Sequence, residues 1–249
     1  MSFDVFFGAF NQDLALQNLQ KVVAIDGPGG SGKSTIAKLV ANDLGLLYVD
    51  TGAMFRGVAW GVREKGGDPN NEAEVNALLP QIKIDYGQGA CLIAVNGQDV
   101  SEKIRAHEVS QLASQVSQWP SVRTYLLNLQ RQIAQRRCCV MEGRDIGTVV
   151  FPHAFCKIFL TASANIRAQR RWAQLQAKGE EQPLAKILKD IEERDARDSQ
   201  RAVAPLKAAS DAVTLDSSAY DIAEVAEQVK SIIIQKAAAG GIVLAMGQK

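Results

Sequence analysis

The chain has 249 residues, and its 28 Lys and Arg against 27 Asp and Glu leave a net charge of +1. That balance argues against a broad electrostatic footprint for nucleic acid or an anionic membrane, so any basic site must be local. Only two histidines and no apolar run of spanning length argue against a histidine metal centre, a Ser-His-Asp triad or a transmembrane segment.

The opening "MSFDVFFGAF" is aromatic but lacks a positive leading stretch, and Asp4 does not suit a secretory signal. Residues 1–20 read as a packing arm, an amphipathic element or a leader, with no function assigned. Residues 22–25 are apolar and mostly β-branched, which suits a buried strand. After Ser34, Ile36, Leu39, Val40 and Leu44 recur at helical spacing, and Gly45 follows where a helix ends. Between strand and helix, Gly27, Gly32, Lys33 and Ser34 fit G-x-x-x-x-G-K-[ST]. Residues Gly27, Pro28, Gly29, Gly30, Ser31, Gly32, Lys33, Ser34 and Thr35 therefore form a phosphate-binding loop. Its backbone N–H groups and helix N-terminus face phosphate oxygens, Lys33 serves the β- and γ-phosphates, and Ser34 is a ligand for Mg²⁺.

A second strand, 46–49, leads into "YVDTGAMFRGVA", where Asp50 and Thr51 can cap a helix that carries Arg56. The region 68–109 interrupts the pattern with an Asn/Pro-rich turn. It continues with two alternating runs around Gly-Gln-Gly, which predict a hairpin in a small inserted sheet. A helix at 122–136 precedes a third strand at 138–141, after which Glu142, Arg144 and Asp145 emerge as site candidates. A strand at 155–160 and a helix at 164–176 bring Arg167, Arg170 and Arg171. The charged stretch 178–206 places Arg194, Arg197 and Arg201 on one helical face, with Asp195 and Asp198 between them. Such arginine clusters beside a phosphate loop point to a closing lid, with Arg194 apart from the loop until nucleotides bind. A last strand at 212–215 and a helix at 222–234 precede the tail, 237–249. Cys91, Cys138, Cys139 and Cys156 lack C-x-x-C spacing, and three lie in apolar runs, as reduced thiols of a cytoplasmic protein do.

Strands alternating with helices predict an α/β fold, a five-stranded parallel sheet with helices on both faces and its site at the strand carboxyl ends. The segments "IDGPGGSGKST", "YVDTGAMFR", "ASQVSQWPSVR", "EGRDIGTVVFPHAFCKIFLTAS" and "RDSQRAVAPLKAASDAVTLDSS" occur here in this order. In them the chain resembles the bacterial-type cytidylate kinases of the P-loop nucleoside monophosphate kinase superfamily, over about 22–229. The resemblance implies a kinase domain at 21–236, with a monophosphate-binding insert near 67–119 and a helical lid near 168–201. It also implies transfer of the ATP γ-phosphoryl group to CMP or dCMP with Mg²⁺, by a monomer that needs neither nucleic acid nor membrane. Thr51, Arg56 and Arg144 would then hold the acceptor phosphate. Ser114, Arg123, Asp145 and Arg201 would surround cytosine, and Asp198 would take the ribose hydroxyls. Arg194 would reach the transferring group and Arg167 or Arg171 would serve ATP. The family usually has Tyr where this chain has Phe55. Competing readings are another small kinase of the same fold (UMP/CMP, adenylate or small-metabolite) or a nucleotide-binding regulator, although no N-K-x-D motif is present.

Overall fold

The strand β1, Val22–Asp26, is buried at all five positions. Its alternate side chains explain why both faces are covered: Val22 and Ala24 enter one core cluster, Val23 and Ile25 another. The computed structural model describes residues 21–87 and 93–244. Around β1 lie β2 (Leu47–Asp50), β6 (Cys139–Gly143), β7 (Cys156–Thr161) and β8 (Val213–Asp216). They pair in parallel, as expected from the sequence, and their order is β2-β6-β1-β7-β8. The helix α1 (Lys33–Asp43) packs with α8 (Ile222–Ala239) over one face. On the other lie α2 (Thr51–Glu64), α4 (His107–Val116) and α5 (Pro120–Arg136). Register aligns the carboxyl ends, with Asp26 opposite Gly143 and Asp50 opposite Glu142, so four site-proximal residues share one edge.

After α2 come α3 (Glu72–Leu78) and a small antiparallel sheet of β3 (Ile84–Tyr86), β4 (Ile93–Val95) and β5 (Gln98–Asp99). The expected hairpin is β3–β4; β5 is an addition that the sequence reading missed. Gly57 and Gly61 let α2 press against Ile82, Ile84 and Val95; a Cβ on Gly61 would stand 3.0 Å from Ile82. Tyr125 closes the outer edge of β3, accepting from Ile84 N and donating to Ile82 O, each at 3.0 Å. A separate small core of Ala168, Leu175 and Ile187 joins α6 (Ala164–Gln176) to α7 (Leu184–Gln200). Residues 1–20, 88–92 (with Gln88 and Gly89 of the expected turn, Cys91 and Leu92) and 245–249 lie outside the described residues. Cys138, Cys139 and Cys156 are free thiols, and burial pushes the pKa of the last two up to about 12.

Candidate active site

Gly27 opens the phosphate loop with a φ of 149°, and a Cβ there would sit 2.0 Å from the Leu160 carbonyl oxygen, so no larger residue fits. Lys33 folds back across the loop, donating to Pro28 O at 2.7 Å and to Ser31 Oγ at 3.4 Å. It is 4% exposed, and burial, with the Arg144 guanidinium next, lowers its pKa. A phosphate oxygen is the ligand that offsets both costs. Buried Glu142 accepts a hydrogen bond from Tyr48 Oη at 2.7 Å and lines the same cleft as Ser34. Burial and Asp50 raise its pKa, while Lys33 and the Ser34 and Tyr48 hydroxyls oppose them. Ser34 and Glu142 thus present a hard-oxygen pair at the start of α1. Among the described residues no group of three or more His, Cys, Asp or Glu could hold a metal ion by itself.

Beside the loop opens a cleft of about 220 Å³, lined by the cations Lys33, Arg56, Arg123, Arg144, Arg194 and Arg201 and the carboxylates of Asp50, Glu142, Asp145 and Asp198. The cationic excess is local, in a chain with almost no net charge. Asp50 caps α2 through Ala53 N and accepts from Arg56 Nη2 at 2.9 Å. Thr51 Oγ1 donates to Glu142 O at 2.7 Å. Arg144 Nε meets Asp198 Oδ2 at 3.0 Å across the gap between β6 and α7. Burial alone would raise the Asp198 pKa, but Arg144 and Arg194 outweigh it and hold the carboxyl below its ordinary value. Arg123 is fixed by Ser117 O at 2.7 Å and Asp145 Oδ2 at 2.9 Å, and its guanidinium lies 5.6 Å from the Phe55 ring centroid. Arg201 Nε donates to Ala204 O at 2.6 Å. Burial, then Arg123, lowers its pKa to about 10. Four buried polar atoms here have no hydrogen-bond partner in the protein: Arg56 Nε, Ser114 Oγ, Arg194 Nε and Arg201 Nη2. Buried donors without partners are costly, which marks the cleft as one shaped for a polar, anionic ligand.

Three expectations change. Arg194 does not stand apart from the loop, for its Nη1 lies 3.7 Å from where a Cβ on Gly29 would be. The arginine stripe also splits. α7 ends at Gln200 and Arg201 adopts an extended backbone, so Arg194, Asp198 and Arg201 line the cleft while Arg197 remains exposed. Arg167 is spent on the protein itself, donating to Ala162 O, Gly29 O and Asp195 Oδ2 at 2.8, 3.1 and 2.6 Å. It braces the loop, whereas Arg171 lines a larger adjoining cleft with Gly29, Gly30 and Ser34. Arg170 instead grips Ser217, whose hydroxyl donates to Ser31 O at 3.2 Å. Sequence reasoning left Glu142 without a role and passed over Asp26 and Tyr48; a carboxylate at the end of a buried strand was the available signal.

The family model described as cytidylate kinase matches residues 23–235. A "Cytidylate kinase" of Stutzerimonas stutzeri is 46% identical over 88% of this chain and 97% of its own. One of Solibacter usitatus is 48% identical over 85% and 91%, and one of Desulfitobacterium hafniense 45% over 90% and 96%. The chain belongs to the cytidylate kinase family. No helix among the described residues is long and apolar enough to cross a membrane.

Proposed function

We propose that the protein transfers the γ-phosphoryl group of ATP to CMP or dCMP, giving ADP and CDP or dCDP, with Mg²⁺ as the metal. The observation that carries this reading is the set of unpartnered buried donors around Asp145 and Arg123 in a cleft that opens onto the phosphate loop. Phosphoryl transfer needs little covalent help; it needs positioning and positive charge over the transferring oxygens. Lys33 supplies that charge to the ATP β- and γ-phosphates, and Gly27 to Thr35 wrap them in backbone N–H groups. Arg171 faces the rest of ATP. Thr51, Arg56 and Arg144 hold the acceptor phosphate, Asp198 the ribose, and Arg194 reaches between the two nucleotides. When bound, Mg²⁺ neutralises phosphate charge; Ser34 and Glu142 would hold it, a fit for a cation that keeps waters and phosphate oxygens as its other ligands.

Cytosine offers an N4 amine and an N3 acceptor, whereas uracil offers an O4 acceptor and an N3–H. Asp145 can accept from N4–H but faces O4 lone pair to lone pair. Arg123 or Arg201 can donate to N3 or O2 of cytosine, while uracil's N3–H opposes them. The reading takes the protein as a monomer acting on small molecules, and the buried thiols support a cytoplasmic setting. An ADP-release assay across CMP, dCMP, UMP, AMP and GMP is the test. CMP and dCMP should be used well and UMP poorly; an equal or better rate with AMP or UMP would overturn the assignment.

A further inference from the structure

Asp26 ends β1, one residue before the phosphate loop, and is 5% exposed. Its carboxylate reaches across to the segment after β6, where Oδ1 accepts from Ile146 N at 2.8 Å and Oδ2 from Gly147 N at 2.7 Å. These are the first N–H groups of a π-helical turn, Ile146–Val150. The residue at the N-cap of that turn is Asp145. An aspartate there ordinarily folds its own carboxylate onto the second or third N–H of the helix. Asp145 makes no such bond. Its carboxylate turns away, to Arg123 at 2.9 Å and towards Arg201 at 3.8 Å. The donor it would have capped, Gly147 N, is already taken by Asp26.

We propose that Asp26 is a positioning residue for nucleotide choice: by capping this turn from the neighbouring strand, it leaves the Asp145 carboxylate free to face the acceptor base. The inference rests on the kinase reading above and adds a residue to it. Two further observations support it. A Cβ on Gly147 would meet the Lys157 side chain at 3.2 Å and Asp26 Oδ2 at 3.4 Å, so the turn lies in contact with the carboxylate. Asp26 also keeps its charge against burial, which pushes its pKa up to about 6 despite the two backbone donors. Each N–H meets its own oxygen, so in this geometry a carboxylate satisfies both where an amide would oppose one of them with its NH₂. Through the same bonds Asp26 ties the start of the phosphate loop to the segment that carries Arg144 and Asp145, so donor and acceptor sides share one anchor.

The test is a double-mutant cycle on the full chain, reading kcat/KM for CMP and for UMP with ATP. In Asp26→Asn the amide faces one N–H with its own donor, so Gly147 or Ile146 N is released and Asp145 can fold back to cap the turn. The CMP-over-UMP ratio should fall about tenfold or more, mainly by loss of the CMP reaction. In an Asp145→Asn background the same change should lower the ratio by less than about threefold further, because the two act through one contact. If Asp26→Asn keeps the wild-type ratio, or if the two losses multiply in full, the inference fails. A wild type with no preference for CMP would instead overturn the functional reading and this inference with it. Should Asp26→Asn not fold, Asp26→Ser, with its single acceptor, is read by the same ratios.

Discussion

The phosphate loop is a run of consecutive residues, 27–35, held by its own backbone and by Lys33 lying across it. The acceptor half of the cleft draws Arg56, Ser114, Arg123, Arg144 and Arg194 from α2, α4, α5, the segment after β6, and α7. In the first, glycine conformation fixes the donors and one cation supplies charge. In the second, guanidiniums are aimed by carboxylates on other elements: Arg56 by Asp50, Arg123 by Asp145, Arg144 by Asp198. On the proposed reading, the loop decides whether transfer occurs and the paired side chains decide what receives the phosphate. Changes in the first half should lower kcat whatever the acceptor, and changes in the second should alter the choice among acceptors.

Lys33→Met breaks the donor half and carries the largest expected effect. Removing a preorganised charge from developing phosphate charge costs about 10²–10³ in kcat. Because Lys33 is buried and already burdened by Arg144, its loss should leave the melting temperature unchanged or raised. Steady-state kinetics with CMP and dCMP should show the same loss for both. A near-normal kcat would remove the loop lysine from the reaction.

That half was also the legible one. G-x-x-x-x-G-K-[ST] between an apolar strand and an amphipathic helix is local, so spacing alone located it. The five strands were legible for a related reason: each is a short, mostly apolar run flanked by helical periodicity, and β1, β6 and β7 came out within one residue or two. The acceptor half needs partners far apart in the chain, such as Arg144 with Asp198 or Asp26 with Ile146, and no local pattern marks them. Arg167 shows the cost, since on sequence it is equivalent to Arg171, and only burial shows it spent on Gly29 and Asp195. The strand β5 was missed although "NG" stood in the sequence: Asn96 and Gly97 both take positive φ, 52° and 79°, the turn that returns β4 onto β5.

Asp26 joins the two halves, and its titration sharpens the comparison. Burial raises its pKa from an ordinary 3.8 to about 6, with Asp145 adding to the rise and Lys33 opposing it. A carboxyl whose pKa is higher in the folded state stabilises the fold fully below its unfolded pKa, and that contribution is lost as pH rises through the folded value. Between pH 4.5 and 7.5 the stability of the wild type relative to Asp26→Asn should therefore fall by about 2 kcal/mol. Denaturant titrations of both proteins at several pH values measure it. A difference that stays flat across this window would mean that Asp26 is ionised in the fold throughout it, with its pKa not raised.

Asp145→Asn acts on the acceptor half alone. Its amide presents a donor where N4–H of cytosine needs an acceptor, and a mispaired buried group costs about 1–3 kcal/mol. The CMP-over-UMP ratio should drop roughly tenfold to a hundredfold, with KM for ATP unchanged. An intact ratio would pass the discrimination to Ser114 and Arg123.

The smallest expected effect separates binding from folding most cleanly. Ser114 Oγ and Thr51 Oγ1 both lie buried on the acceptor side, but Thr51 donates to Glu142 O while Ser114 Oγ has no protein partner. Removing a satisfied hydroxyl strands its acceptor and costs about 1 kcal/mol or more of stability, whereas removing an unsatisfied one costs nothing and relieves a desolvation penalty. Thr51→Val should therefore lower the melting temperature, and Ser114→Ala should leave it unchanged or slightly higher. If Ser114 is unpartnered because its partner is the acceptor nucleotide, Ser114→Ala should raise KM for CMP by about three- to tenfold, the worth of one hydrogen bond of about 0.5–1.5 kcal/mol. KM for ATP and kcat at saturating CMP should not move, since the contact is the same in ground and transition states. A stable Ser114→Ala enzyme with wild-type KM for CMP would show that an unpartnered hydroxyl in this cleft is a packing accident and that the base is read from the Arg123 and Asp145 side alone.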